Sequence, residues 1–139
     1  FRGVIRRLNY LLDTHYLLWS MLDPKKIGKK TLKILEDTDK IKYVSKISYW
    51  EIALKYSLGK LELRGTTPEE LLEETKNAGF QIFDITEDDI VSSYRLPSIA
   101  SHKDPFDRLL VWQCIRNDLV LITVDGNIRG YEEFGLKLI

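Results

Sequence analysis

Short apolar runs alternate along this chain with stretches of helical character, and that alternation restricts the fold more than any other feature. The runs are 8–13, 41–45, 80–85, 119–123 and 136–139. A strand buried on both faces of a parallel sheet reads as continuously apolar, as in Leu119-Val120-Leu121-Ile122-Thr123. The intervening segments carry helix punctuation. Residues 14–22 end at Asp23-Pro24, and 28–37 set Leu32 and Leu35 against a Lys-rich face. Residues 48–58 place Ser48 and Glu51 in capping-box spacing, with Gly59 as the stop. Thr67-Pro68-Glu69-Glu70 opens a helix that Gly79 closes, and Thr86 caps one running to about Arg95. After a polar loop at 97–103, Asp104-Pro105 starts a last helix that reaches about Asn117. The expected fold is α/β, a three-layer α/β/α domain with a central parallel sheet of about five strands.

A chain of 139 residues fits one domain spanning 1–139, with residues 1–7 expected to form a flexible end. Formal net charge is +0, so polyanion binding would have to come from local patches and bound cations rather than a global field. Arg2, Arg6 and Arg7 precede an apolar run, as in a signal peptide, but Asp13 and His15 interrupt that run and it is too short to span a bilayer. With Cys114 as the single cysteine, no internal disulfide or cysteine zinc site forms, and a cytoplasmic location with no membrane association is expected.

Open α/β sheets bind ligands beyond the carboxyl ends of their strands, where strand order reverses. Asp13 ends the first expected strand and Asp125 follows the fourth. Each acid can be read as a cap for the next element or as part of a site. Asp104 before Pro105 reads as an N-cap, and Asp107 falls in the first turn, where the helix dipole favours an acid. Glu51 competes with its capping-box role. Carboxylates converging on one cleft repel, and a hard divalent cation with oxygen ligands, Mg²⁺ or Mn²⁺, relieves that repulsion. Such a centre can activate water for phosphoryl transfer without a basic domain. No P-loop or G-x-G-x-x-G is present, and His15 and His102 are too scattered for a zinc enzyme, reading as packing or supporting residues. Cys114 reads as core.

The blocks Leu11-Leu12-Asp13-Thr14-His15, SKISYWEIALK from Ser45 to Lys55, Gly59-Lys60-Leu61, HKDPFDRLL from His102 to Leu110, Gln113, and TVDGNI from Thr123 to Ile128 resemble the PIN-domain nucleases. Within them they resemble the VapC-like toxins of toxin–antitoxin pairs, over essentially 8–139. The resemblance implies a PIN fold and a metal-binding catalytic quartet of Asp13, Glu51, Asp107 and Asp125. Asp107 is preferred to Asp104 because the family acid adjoins the apolar stretch of that helix; Asp104 stays a secondary candidate beside Thr123, similar to a family hydroxyl lining the site. It further implies a homodimer and a cognate antitoxin that inserts into the active-site groove.

The expected activity is Mg²⁺- or Mn²⁺-dependent cleavage of RNA, leaving a 5′-phosphate and a 3′-hydroxyl. Arg108, Lys55 and the Lys-rich stretch 25–42 are candidate RNA contacts. Two alternatives remain at this point. One is a non-catalytic PIN scaffold that binds RNA or a partner protein. The other is an acid-dependent phosphatase or phosphotransferase, although Asp13-Thr14-His15 lacks the second acid such enzymes carry.

Overall fold

Parallel pairing joins the apolar runs into one sheet. The computed structural model describes residues 8–99 and 102–139, so the end at 1–7 lies outside the described residues. The strands are β1 (Asn9–Leu12), β2 (Ile41–Ser45), β3 (Gln81–Phe83), β4 (Val120–Ile122) and β5 (Lys137–Leu138), in the order β3-β2-β1-β4-β5. Every pairing is parallel, with Leu12 opposite Val44 on one side and Ile122 on the other. The helices are α1 (Thr14–Leu22), α2 (Lys29–Glu36), α3 (Lys46–Ser57), α4 (Pro68–Asn77), α5 (Glu87–Ser92) and α6 (Pro105–Asn117). Short 3₁₀ segments occupy Pro24–Lys26, Ser93–Arg95 and Gly126–Phe134.

Alternate strand residues bury on opposite faces. Leu11 and Leu121 pack with Leu110, Val111 and Cys114 of α6, and with Ile128 and Tyr131. Tyr10, Leu12, Val120 and Ile122 face the other way, onto Ile34 of α2 and Tyr16 of α1. Val44 joins that side with Leu17, Ile52, Leu63 and Leu71. Helices therefore cover both faces, which is the expected three-layer α/β/α arrangement.

Most helix starts follow the sequence punctuation. Thr67 and Glu70 form a reciprocal capping box at α4, and Gly79 follows that helix at φ +94, a left-handed conformation glycine adopts freely. One start differs. The expected capping box of Ser48 and Glu51 does not form, because β2 runs directly into α3. Ser45, extended at φ −72 and ψ 145, is the N-cap, and its Oγ accepts from the Ile47 amide at 3.1 Å. Ser48 and Glu51 therefore lie inside the helix at i and i+3, both buried on one face. Glu51 has no cap to make, and its carboxylate is free for other partners. Residues 126–134 form a 3₁₀ segment started by Asp125, whose side chain accepts from Asn127 N.

Candidate metal centre

The chain adds β2 and β3 to one side of β1 and then places β4 on its other side, so strand order reverses between β1 and β4. Asp13 directly follows β1, and its amide donates to Ile122 O of β4 at 2.9 Å. It is 3% exposed and caps α1 by accepting from Tyr16 N at 2.8 Å. Capping occupies one face of one oxygen, so the structural and chemical roles coexist. Burial pushes the Asp13 carboxyl up, against hydrogen bonds from Tyr16 N, the Thr123 hydroxyl and Val124 N and the charge of His15. Thr123 also accepts the Asp125 amide at 3.1 Å, tying the two strand ends together through one hydroxyl.

Asp125 accepts from Asn127 N with Oδ1 and turns Oδ2 towards His102. On the opposite wall, Asp104 is the N-cap of α6, and its Oδ1 receives the amides of Phe106 and Asp107 at 2.9 and 3.1 Å. Its structural role predicts that Asp104→Ala costs about 1–2 kcal/mol of stability in urea denaturation. Asp107, one turn in, is strongly perturbed. Its carboxyl is pushed to about 7 by burial, then by the charges of Asp104, Glu51, Asp13 and Asp125. The acids picked out along the sequence are thus near enough for their charges to act on Asp107, and among the described residues Asp107 and Asp125 join His102 in the one tight group of possible ligand atoms.

Glu51 enters from α3, 4% exposed. Thr14 donates to its Oε1 at 2.7 Å and lies 3.1 Å from Ser48 Oγ, while Lys55 pairs with Oε2. Burial works to lower the Lys55 ammonium's pKa, but the hydrogen bond and charge of Glu51, with the charges of Asp104 and Asp107, hold it above its ordinary value. Lys55 is therefore a cation at the cleft wall.

The other basic candidates sit differently. Arg108 spends its guanidinium on the carbonyls of Leu96 and Pro97 and on the Tyr131 hydroxyl. It braces the chain before α6. The Lys-rich stretch lies away from the acids: Lys25 and Lys26 follow the far end of α1, and Lys40 and Lys42 approach the amino end of β2. Lys40 pairs with Asp37, and Lys42 donates to Asp37 O. Backbone-tracking by this stretch is therefore not supported at the cleft.

Sequence reading undervalued His102. It is 4% exposed, bridged to Ile99 in antiparallel fashion, and joined through Nδ1 to Tyr131 Oη at 3.0 Å. Its Nε2 lies 3.8 Å from both Asp107 Oδ2 and Asp125 Oδ2. Burial lowers its pKa against the charges of Asp125 and Asp104. The one local signal was its place two residues before Asp104. Its aim depends on Tyr131, which is remote in sequence. His15, by contrast, is exposed and meets Trp19 edge-on at 6.5 Å. Cys114 is buried, and burial pushes its thiol up, as befits a core residue.

These donors suit a divalent cation. Carboxylates crowded enough to hold a proton near pH 7 gain most from an added positive charge, and His102 Nε2, buried without a hydrogen-bond partner, points at two of them.

A parallel α/β sheet with a carboxylate cleft at its switch point defines a domain of the acidic-site class. A family model described as "PIN domain" matches residues 10–133, and the chain belongs to that family. No curated protein matches the sequence. Among solved structures, VapBC2 from Rickettsia felis bound to a DNA fragment from their promoter is similar at TM-score 0.69 and 16% identity, covering 95% of this chain and 98% of that one. DNA-bound VapBC from Salmonella typhimurium is similar at TM-score 0.63 and 17% identity, covering 95% and 97%. VapBC-1 from nontypeable Haemophilus influenzae follows at 0.61 and 17%, again covering 95% and 97%. At these identities the likeness is one of fold.

Proposed function

We propose that the chain is a Mg²⁺- or Mn²⁺-dependent endoribonuclease, acting in the cytoplasm as the toxin of a toxin–antitoxin pair. The observation that carries this is the convergence of Asp107, Asp125 and His102, whose ligand atoms lie within 4.8 Å of one another, with Asp104, Glu51 and Asp13 close enough for their charges to push the Asp107 carboxyl up. An arrangement that penalises its own ionisation is suited to binding a cation. Membership of the PIN family supports the nuclease reading, and the VapBC neighbours support the toxin reading.

Asp13, Asp107 and Asp125 would hold the ion, with Glu51 completing the set. When bound, the ion supplies an activated water and neutralises charge at the phosphodiester. The chain's own residues prepare that site. Thr14 and Lys55 fix the two oxygens of Glu51, and Thr123 orients Asp13 while holding the Asp125 backbone. Lys55 can also draw an RNA phosphate towards the cleft. Trp50, 59% exposed and edge-on to Phe106 at 5.1 Å, lines a groove with Val91, Tyr94 and Phe106. An exposed aromatic groove of this kind supports a protein partner, an antitoxin segment or a second copy in a homodimer. Among the described residues, no helix is long and apolar enough to cross a membrane.

The test is cleavage of single-stranded RNA by purified protein. EDTA is expected to stop it, and added Mg²⁺ or Mn²⁺ to restore it, with 5′-phosphate and 3′-hydroxyl ends. Cleavage that survives EDTA contradicts the reading. Binding of RNA or a protein partner without turnover, in the presence of metal, would favour the non-catalytic scaffold.

A further inference from the structure

The His102 ring is held from behind. Nδ1 meets Tyr131 Oη at 3.0 Å, and the two rings pack edge to face at 84°. Tyr131 is itself fully buried, and its oxygen receives Arg108 Nη1 at 3.0 Å. A phenol oxygen can accept a second donor, so Nδ1–H can also point at Tyr131, which leaves the lone pair on Nε2. That Nε2 is buried without a hydrogen-bond partner. A buried polar atom in this state is unusual and costly.

What it faces is specific. Asp107 Oδ2 and Asp125 Oδ2 each stand 3.8 Å away, beyond a hydrogen bond. The ligand atoms of the three residues lie within 4.8 Å of one another. Two donors bound to one ion at about 2.1 Å can stand up to about 4.2 Å apart. A separation of 3.8 Å is therefore short enough for a shared ion and too long for direct contact.

We propose that His102 Nε2 is a direct ligand of the cation held by Asp107 and Asp125, so that the centre is a mixed imidazole–carboxylate site preferring Mn²⁺ to Mg²⁺. This rests on the metal-dependent reading of the same cleft. Imidazole is a good ligand for first-row transition cations, whereas Mg²⁺ keeps oxygen ligands and water. Tyr131 and Arg108 then serve as outer partners that set the ring's orientation.

The full chain loaded with Mn²⁺ tests this by pulsed electron paramagnetic resonance. A directly bound imidazole is expected to give nitrogen modulation, which changes when histidine is labelled with ¹⁵N. The signal should persist in His15→Gln and vanish in His102→Gln. In His102→Gln, Mn²⁺ affinity should fall by about tenfold or more, and further than Mg²⁺ affinity. Bound Mn²⁺ without a nitrogen signal overturns the His102 assignment and leaves a carboxylate centre standing. Loss of the signal in His15→Gln overturns it equally. Failure to bind either cation overturns the metal-dependent reading itself. The wild-type and His15→Gln spectra decide the matter even where His102→Gln does not fold.

Discussion

Asp13→Asn is expected to reduce RNA cleavage by more than about 100-fold while the protein stays folded. Replacing an outer partner of a metal ligand already costs about 10–100-fold in affinity or activity, so replacing a ligand should cost more. The fold survives for a reason specific to this position. The Asp13 side chain caps α1 through an oxygen that accepts Tyr16 N, and asparagine offers the same oxygen. Asn and Asp are about equal as N-caps. Asp13 is also buried enough that its charged form is disfavoured, so a neutral amide relieves a penalty. Thermal unfolding without metal should therefore show Asp13→Asn at least as stable as wild type. A variant that cleaves RNA normally would remove Asp13 from the site. One that loses activity only by unfolding would leave its role as a cap alone.

The same duality explains how much could be read along the chain. The strands at 41–45 and 119–123 carry their own apolar signature, and caps such as Thr67 and Asp104 work through amides two or three residues away. These are local effects, and local sequence announces them. The Ser48–Glu51 box failed because its competitor was tertiary: β2 docks beside β1 and delivers Ser45 as the cap, so α3 begins earlier. What Glu51 does instead depends on Thr14, 37 positions away. His102 was passed over for a similar reason, since nothing adjacent shows that Tyr131 fixes its ring. Asp13 and Asp125 were legible because a strand's carboxyl end is both a local signal and a functional place. Where the Lys-rich stretch lies relative to the acids was not legible, because charge composition does not reveal which end of the sheet a helix leaves from.

The metal-free protein is expected to lose stability as pH rises from about 4 to about 7, and Mn²⁺ to protect it increasingly over that interval. Asp107 has an ordinary value of 3.8 when unfolded and about 7 in the folded cleft. Between those values the folded state holds a proton that the unfolded state has released, so rising pH favours unfolding. The contribution is fully present below 3.8 and gone above about 7. A shift of this size corresponds to on the order of 4 kcal/mol, shared among the coupled carboxyls. Asp13, also raised, acts with the same sign. His102 opposes it below 6.5, because its folded pKa is lowered and its neutral form is favoured. Comparing wild type with Asp107→Asn isolates the Asp107 contribution, since the amide cannot titrate. The cation competes with the Asp107 proton, so the rise in Tm on adding Mn²⁺ should be small at pH 5 and largest at pH 8. Equal metal-induced shifts at both pH values would mean that the ion binds without displacing that proton. The crowding of carboxylates would then not be what draws the metal in.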